Sequence, residues 1–163
     1  MTLAREMALE SEYVMGTFAR KPVEFVEGHG MTLIDDTGKE YLDFLSGIGV
    51  CSLGHCHPSI VQAVSDQAAK LIHVSNYYYI EHRGEVAQLL SNMLNAYVDE
   101  PSPETWKTFF ANSGAEANEC AIKLARLYAR RRTEAAGKDA ELAPRLIVTL
   151  AKSFHGRTLA TLA

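Results

Sequence analysis

Apolar and polar residues change rhythm several times along the chain, and each change predicts an element. The opening segment, to about Ala19, has helical spacing, and Lys21-Pro22 then forces an extended start for Val23 to Val26. Gly28-His29-Gly30 and Asp36-Thr37-Gly38 are turn chemistry around the strand pattern of Met31 to Asp35, and Glu40 to Phe44 resumes it. The prediction is a small antiparallel meander. From Ser46 to His57 (SGIGVCSLGHCH) three glycines interrupt any period, which reads as an irregular segment.

Pro58 then begins a helix on which Ile60, Val61, Val64, Ala68 and Leu71 recur at helical spacing. After the polar-aromatic break Ser75 to Tyr79, a second helix carries Val86, Leu89, Leu90, Met93 and Tyr97 on one face, ended by Pro101 and Pro103. Trp106 to Ala111 is a short apolar strand that runs into Asn112-Ser113-Gly114, after which Ala117, Ala121, Leu124, Ala125 and Tyr128 mark an amphipathic helix. A polar loop from about Thr133 to Pro144, with Gly137 at its most mobile point, leads to a second strand, Leu146 to Leu150, and Thr158 onward begins another helix. Strand, helix and strand imply a parallel βαβ unit and an α/β fold. Two parallel strands cannot cover both faces of a sheet, so more strands are expected beyond these. No internal repeat or low-complexity tract interrupts the pattern.

Composition narrows the partners. The chain has 163 residues, is 47% hydrophobic and 22% charged, and carries a net charge of −4, with basic residues scattered apart from Arg130, Arg131 and Arg132. This describes a globular domain without the positive face that nucleic acid demands. No apolar run approaches a membrane span, and MTLAREMALESEY has acids where a secretory signal needs an apolar core, so a cytoplasmic protein is expected. Cys51, Cys56 and Cys120 are an odd number, which suits free thiols in a reducing compartment.

Candidate chemistry concentrates at two places. At the strand-to-helix turn Asn112 to Asn118, unpaired backbone N–H groups and the helix dipole make an anion site, with Gly114 permitting close approach and Ser113 supplying a hydroxyl. The turn lacks the signatures of nucleotide and dinucleotide loops, which favours a phosphate monoester. From spacing alone the plainer reading is a capping box, Ser113 with Glu116, that only stabilises the helix start, and only the surrounding motifs favour the anion site. The second place is Phe154-His155-Gly156-Arg157, after the next strand and so at the same carboxyl edge of the sheet. There Phe154 can stack on a flat heteroaromatic ring and Arg157 can clamp a carboxylate through two parallel hydrogen bonds, although a core phenylalanine and a surface ion pair are the plainer readings of each taken singly. Gly54-His55-Cys56-His57-Pro58 invites a metal reading, but adjacent side chains diverge and no second ligand pair follows, so no metal site is expected; His57-Pro58 reads equally as a helix start. Ser75 to Tyr79 can line a site entrance or pack a subunit interface.

With these residues laid out, the chain resembles the class III, fold-type-I aminotransferases that use pyridoxal 5'-phosphate (PLP), and within them the acetylornithine aminotransferases, over essentially its whole length. The resemblance rests on YVMGTFARKPVEFVEGHG, EYLDFLSGIGVCSLGHCHP, HVSNYYY, FFANSGAEANECAIKLAR and SFHGRTLATLA, in that order. It implies an incomplete fold-type-I chain: residues 1–50 from the small domain, the antiparallel meander, and 51–163 from the first part of the large PLP-binding domain with its mostly parallel sheet. It implies that Ser113, Gly114 and Ala115 hold the cofactor's phosphate, that Phe154 stacks on its ring, and that Arg157 binds the substrate's α-carboxylate, with Ile48 and Tyr79 beside the substrate. Related ornithine aminotransferases carry a tyrosine where this chain has Ile48, and an apolar side chain there suits an acylated ornithine.

The implied activity is transfer of the δ-amino group of N-acetylornithine to 2-oxoglutarate, forming glutamate, in arginine biosynthesis by a homodimer. Succinylornithine, ornithine and 4-aminobutyrate are the alternative amino donors. In such enzymes a Schiff-base lysine and an aspartate under the ring nitrogen complete the catalytic set. Neither is expected in this chain: none of Lys21, Lys39, Lys70, Lys107, Lys123, Lys138 or Lys152 lies in a matching motif. By itself the chain is therefore expected to be inert, as a folding or dimerisation module. A phosphate-binding module unrelated to transamination is the remaining alternative.

Overall fold

A computed structural model describes residues 2–98 and 106–162. The chain divides into two compact units, Met1–Tyr78 and Tyr79–Ala163. Expectations that rest on Pro101 and Pro103 lie outside the described residues.

In the first unit, helix α1 (Leu3–Tyr13) precedes a three-stranded antiparallel meander, β1 (Phe25–His29), β2 (Thr32–Asp35) and β3 (Glu40–Leu42), in the order β1-β2-β3. The meander is the predicted one, but its first strand starts at Phe25 rather than Val23. Gly28 and His29 pair within β1 with Leu33 and Thr32, so the turn falls at Gly30-Met31, with Gly30 at φ 54°. At the second turn Asp35 is buried, and its Oδ1 accepts from Thr37 Oγ1 (2.7 Å), Thr37 N (2.9 Å) and Lys39 N (3.0 Å). Its Oδ2 accepts from the Tyr41 hydroxyl at 2.9 Å. The neighbouring Asp36 accepts from Leu3 N at 3.0 Å, which ties the first residue of α1 to the same turn.

The irregular segment after β3 contains α2 (Ser46–Gly49), which is not right-handed: Ser46, Gly47, Ile48 and Gly49 have φ of 51°, 62°, 63° and 85°. The left-handed region costs an L-residue about 1–2 kcal/mol, and a β-branched side chain such as Ile48 tolerates it poorly. His55 returns the chain to the meander through a backbone bridge to Gly30, its N donating at 2.8 Å and its O accepting at 2.9 Å. Gly54 is obligatory there, since a Cβ would lie 2.9 Å from the Gly30 carbonyl oxygen. His57 then caps α3 (Pro58–Lys70), with Pro58 in its first turn.

The second unit contains α4 (Arg83–Ala96), α5 (Gly114–Ala135) and a single 3-10 turn, Ala140–Leu142, inside the predicted polar loop. The predicted parallel pair does not form: neither 106–111 nor 146–150 is a strand, and the meander is the one sheet among the described residues. The physical reason is lack of cover. Leu146, Val148 and Leu150 are at least 82% exposed, so pairing two such strands gives one slanted ladder while both faces stay in water. The same holds for the helices: Ile60 and Val64 on α3, Leu89 and Met93 on α4 and Leu124 on α5 are all at least half exposed. Among the described residues Ala143 is the only buried apolar side chain. Thr161 N and Leu162 N both donate to Thr158 O, which is the expected start of a helical turn.

Candidate functional site

Helix α5 begins where its sequence requires. Ser113 is extended (φ −157°, ψ 161°), and its Oγ accepts from Glu116 N at 3.2 Å. The Glu116 carboxylate reaches back to accept from Asn112 N at 2.6 Å. This is a capping box shifted by one residue, worth about 1 kcal/mol. Yet it leaves donors over: among the described residues neither Gly114 N nor Ala115 N has a protein acceptor. The Ser113 hydroxyl accepts one bond and keeps its own hydrogen to give. A Cβ placed on Gly114 would meet nothing within 4 Å, so space is open beside the first helical residue. Two amides, a hydroxyl and the positive end of a 22-residue helix fit a phosphate group. The cap and the anion cup are therefore compatible.

The segment after Leu150 is fastened to the same helix end. Asn118 Nδ2 donates to His155 O at 2.7 Å. Gly156, at φ 135°, has its backbone against Ala115: a Cβ there would lie 2.5 Å from Ala115 Cβ and 2.7 Å from Thr161 Oγ1. Glu119 Oε1 accepts from Thr158 Oγ1 at 2.5 Å and from Ala160 N at 3.2 Å. The Thr158 hydroxyl holds the Glu119 carboxyl below the usual carboxylate range, helped by the Ala160 amide and Lys123 against the opposing effect of burial. Thr161, almost fully buried, accepts from Thr158 N at 2.9 Å and closes the brace.

This brace brings together five of the residues expected at the site. Ser113, Gly114 and Ala115 form the helix end, and Phe154 and Arg157 flank the pinned Gly156. The Phe154 ring is 74% exposed, and the Arg157 guanidinium lies 5.3 Å from its centroid, a cation–π arrangement that leaves the opposite ring face for a flat ligand. Tyr79 is fully exposed, and Ile48 belongs to the first unit, 85% exposed on its left-handed turn. A cavity of about 610 Å³ in the second unit is lined by Ala121, Ile122, Leu146 and Ile147 but by none of Ser113, Gly114, Phe154 or Arg157. Its apolar wall on α5 is rimmed by Asn118, Arg126, Arg145 and His155.

Gly156, Asn118, Glu119, Thr158 and Thr161 were not singled out from the sequence. The partners of Asn118, Glu119 and Thr158 lie 37 to 41 residues away, Thr161 answers Thr158 three residues before it, and Gly156 depends on one backbone angle. The single available signal was Gly156 itself, a glycine between two candidate ligands.

The family model for class-III aminotransferases matches residues 17–163. Among curated proteins, the acetylornithine aminotransferase of Nitrosomonas europaea is 48% identical over 150 residues, covering 92% of this chain and 34% of that protein. The acetylornithine aminotransferase of Synechocystis sp. is 49% identical over 150 residues, covering 92% and 32%. Among solved structures, the ornithine aminotransferase from Toxoplasma gondii ME49 aligns with a TM-score of 0.77 at 27% identity, covering 99% of this chain and 35% of that one. The acetylornithine aminotransferase from Elizabethkingia anophelis aligns with a TM-score of 0.67 at 33% identity, covering 83% and 31%. The chain spans about a third of the length of the curated relatives it matches. Among the described residues no helix is long and apolar enough to cross a membrane.

Proposed function

The chain belongs to the class-III aminotransferases, and on that premise we propose that the protein of which it forms a part is a PLP-dependent N-acetylornithine:2-oxoglutarate aminotransferase. Residues 1–50 contribute to its small domain and 51–163 to its large, cofactor-binding domain. The observation that carries the proposal is the helix end at Ser113 to Ala115, with two amides and a hydroxyl left over, fastened through Gly156 to Phe154 and Arg157.

When bound, PLP supplies the electron sink that lets an amino group move between two carbon skeletons. The residues of this chain have simpler tasks. Ser113 Oγ and the Gly114 and Ala115 amides hold the phosphate, and the dipole of α5 offsets part of its charge. Phe154 would offer its ring as a stacking partner for the cofactor's heteroaromatic ring. Arg157 takes the α-carboxylate in a bidentate clamp and so orients the substrate. Asn118 and Glu119 hold the backbone that carries these two side chains. The covalent lysine and the aspartate that would partner the ring nitrogen would lie outside residues 1–163, since neither of the family's motifs for them is found here.

The acylated substrate is supported by the identity to acetylornithine aminotransferases and by the apolar Ile48. Succinylornithine, ornithine and 4-aminobutyrate are the competing donors. A cytoplasmic homodimer in arginine biosynthesis is the setting that goes with this activity. Glutamate formation from N-acetylornithine and 2-oxoglutarate by the full-length protein tests the reading directly. The expected result is a kcat/KM for N-acetylornithine well above that for free ornithine; the reverse order, or a reading frame beyond Ala163 without either catalytic motif, contradicts it.

The chain taken alone supports a second reading, an inert folding or dimerisation module, because the covalent lysine is missing from it. Borohydride reduction in the presence of PLP, followed by mapping of the label, should then give no stoichiometrically modified site. One fully labelled lysine would overturn that reading.

A further inference from the structure

We infer that Asp43 and His55 are a positioning pair that holds Ile48 in its left-handed turn and thereby sets which amino donor is accepted; this rests on the proposed function, in which Ile48 lies beside the substrate. Asp43 collects three donors: Leu45 N (2.8 Å) and Ser46 N (2.9 Å) at Oδ1, and the His55 ring through Nε2 (2.6 Å) at Oδ2. Its side chain is only 8% exposed and that of His55 20%. His55 donation, ahead of the two backbone amides, holds the Asp43 carboxyl below its ordinary range, so the pair keeps an anionic acceptor.

The imidazole is in turn fixed. Its backbone is bridged to Gly30, and a Cβ on Gly28 would come within 3.1 Å of His55 Cβ and Cγ. The meander is thus a rigid base, His55 and Asp43 the latch, and the turn Ser46–Gly49 the latched piece. Four successive positive φ values do not arise from local preference when two of the residues are Ser46 and Ile48. Such a conformation persists only when its surroundings over-determine it. Within this chain the packing of Ile48 is no compensation, because the side chain is 85% exposed. The strained turn therefore presents an apolar side chain, and the two amides seated on Asp43 are what keep it turned.

The experiment uses the full-length protein with Asp43→Asn, His55→Ala, His55→Gln and Ile48→Gly. The first readout is amide exchange at Ile48 and Cys51, whose N–H groups donate to Leu45 O and Ser46 O at 2.9 Å. Asp43→Asn and His55→Ala should speed it about tenfold or more, and His55→Gln, which keeps an N–H donor, should restore much of the protection. The second readout is kinetic: kcat/KM for N-acetylornithine should fall about tenfold while that for 2-oxoglutarate stays within about twofold and bound PLP is unchanged. Glycine at position 48 adopts the turn freely, so Asp43→Asn should add little on top of Ile48→Gly. Unchanged exchange overturns the latch. Faster exchange with equal losses for both substrates overturns its role in donor choice. A wild-type protein that leaves N-acetylornithine untouched instead refutes the proposed function, and amide exchange still decides the latch.

Discussion

Gly156 is the residue on which the candidate site depends most heavily, because two independent constraints meet there. Its φ of 135° disfavours any side chain, and a Cβ would lie 2.5 Å from Ala115 Cβ. Gly156→Ala should therefore push the Phe154–Arg157 segment off the α5 end, at a cost of about 1–3 kcal/mol. In the full-length protein, PLP titration followed by absorbance, alongside thermal melting, should show weaker binding and a lower Tm; wild-type affinity would mean the two segments do not form one site. Phe154→Ala should remove stacking worth about 0.5–1.5 kcal/mol, weakening PLP roughly 2- to 12-fold while leaving inorganic phosphate unaffected. Equal loss for both ligands would assign Phe154 to structure. At this scale the sequence was legible for residues whose chemistry is their own. Ser113, Gly114 and Arg157 advertise a donor, an open backbone and a fork of N–H groups. Asn118 and Glu119 do not, since an amide and a carboxylate acquire their roles only from partners across the fold, and the Thr161 hydroxyl takes its role from the local turn at Thr158.

The best defined element is the meander, whose second turn is organised by one carboxylate. Four hydrogen bonds reach Asp35, and that from the Thr37 hydroxyl, together with those from the Lys39 and Thr37 amides and the Tyr41 hydroxyl, lowers its pKa from 3.8 to about 2 against the opposing effect of burial. A depressed carboxylate stabilises the folded form above the unfolded pKa, and the contribution is lost as pH falls through the folded one. The meander should thus weaken between about pH 4 and pH 2. Amide exchange at Thr37 and Lys39 checks this, and Asp35→Asn should remove that acid-dependent step; exchange independent of pH over the range, after correction for intrinsic rates, would contradict it.

Turn residues such as Asp36-Thr37-Gly38 make the meander legible in the sequence, as helical periodicity does for α3, α4 and α5. The left-handed α2 was not readable, because local preference argues against Ile48 there and the turn amides are held by Asp43, which His55 anchors from outside the turn. The two apolar segments expected as parallel strands have the composition of strands, but pairing depends on covering layers, which no short stretch encodes.

For the whole molecule the decisive fact is how little apolar surface is buried. With Ala143 the only buried apolar side chain among the described residues, hydrophobic burial offsets little of the conformational entropy lost on folding. Produced by itself, the 163-residue chain should bind a hydrophobic dye strongly and melt without a sharp calorimetric transition. A cooperative transition with no dye binding would show that its exposed helix faces are adequately covered. The curated relatives are about three times as long as this chain. The full-length protein also decides the central claim. A crystal structure of it with PLP should place phosphate oxygens within about 3 Å of Gly114 N, Ala115 N and Ser113 Oγ. Phosphate bound elsewhere, with those two amides still facing water, would contradict the account.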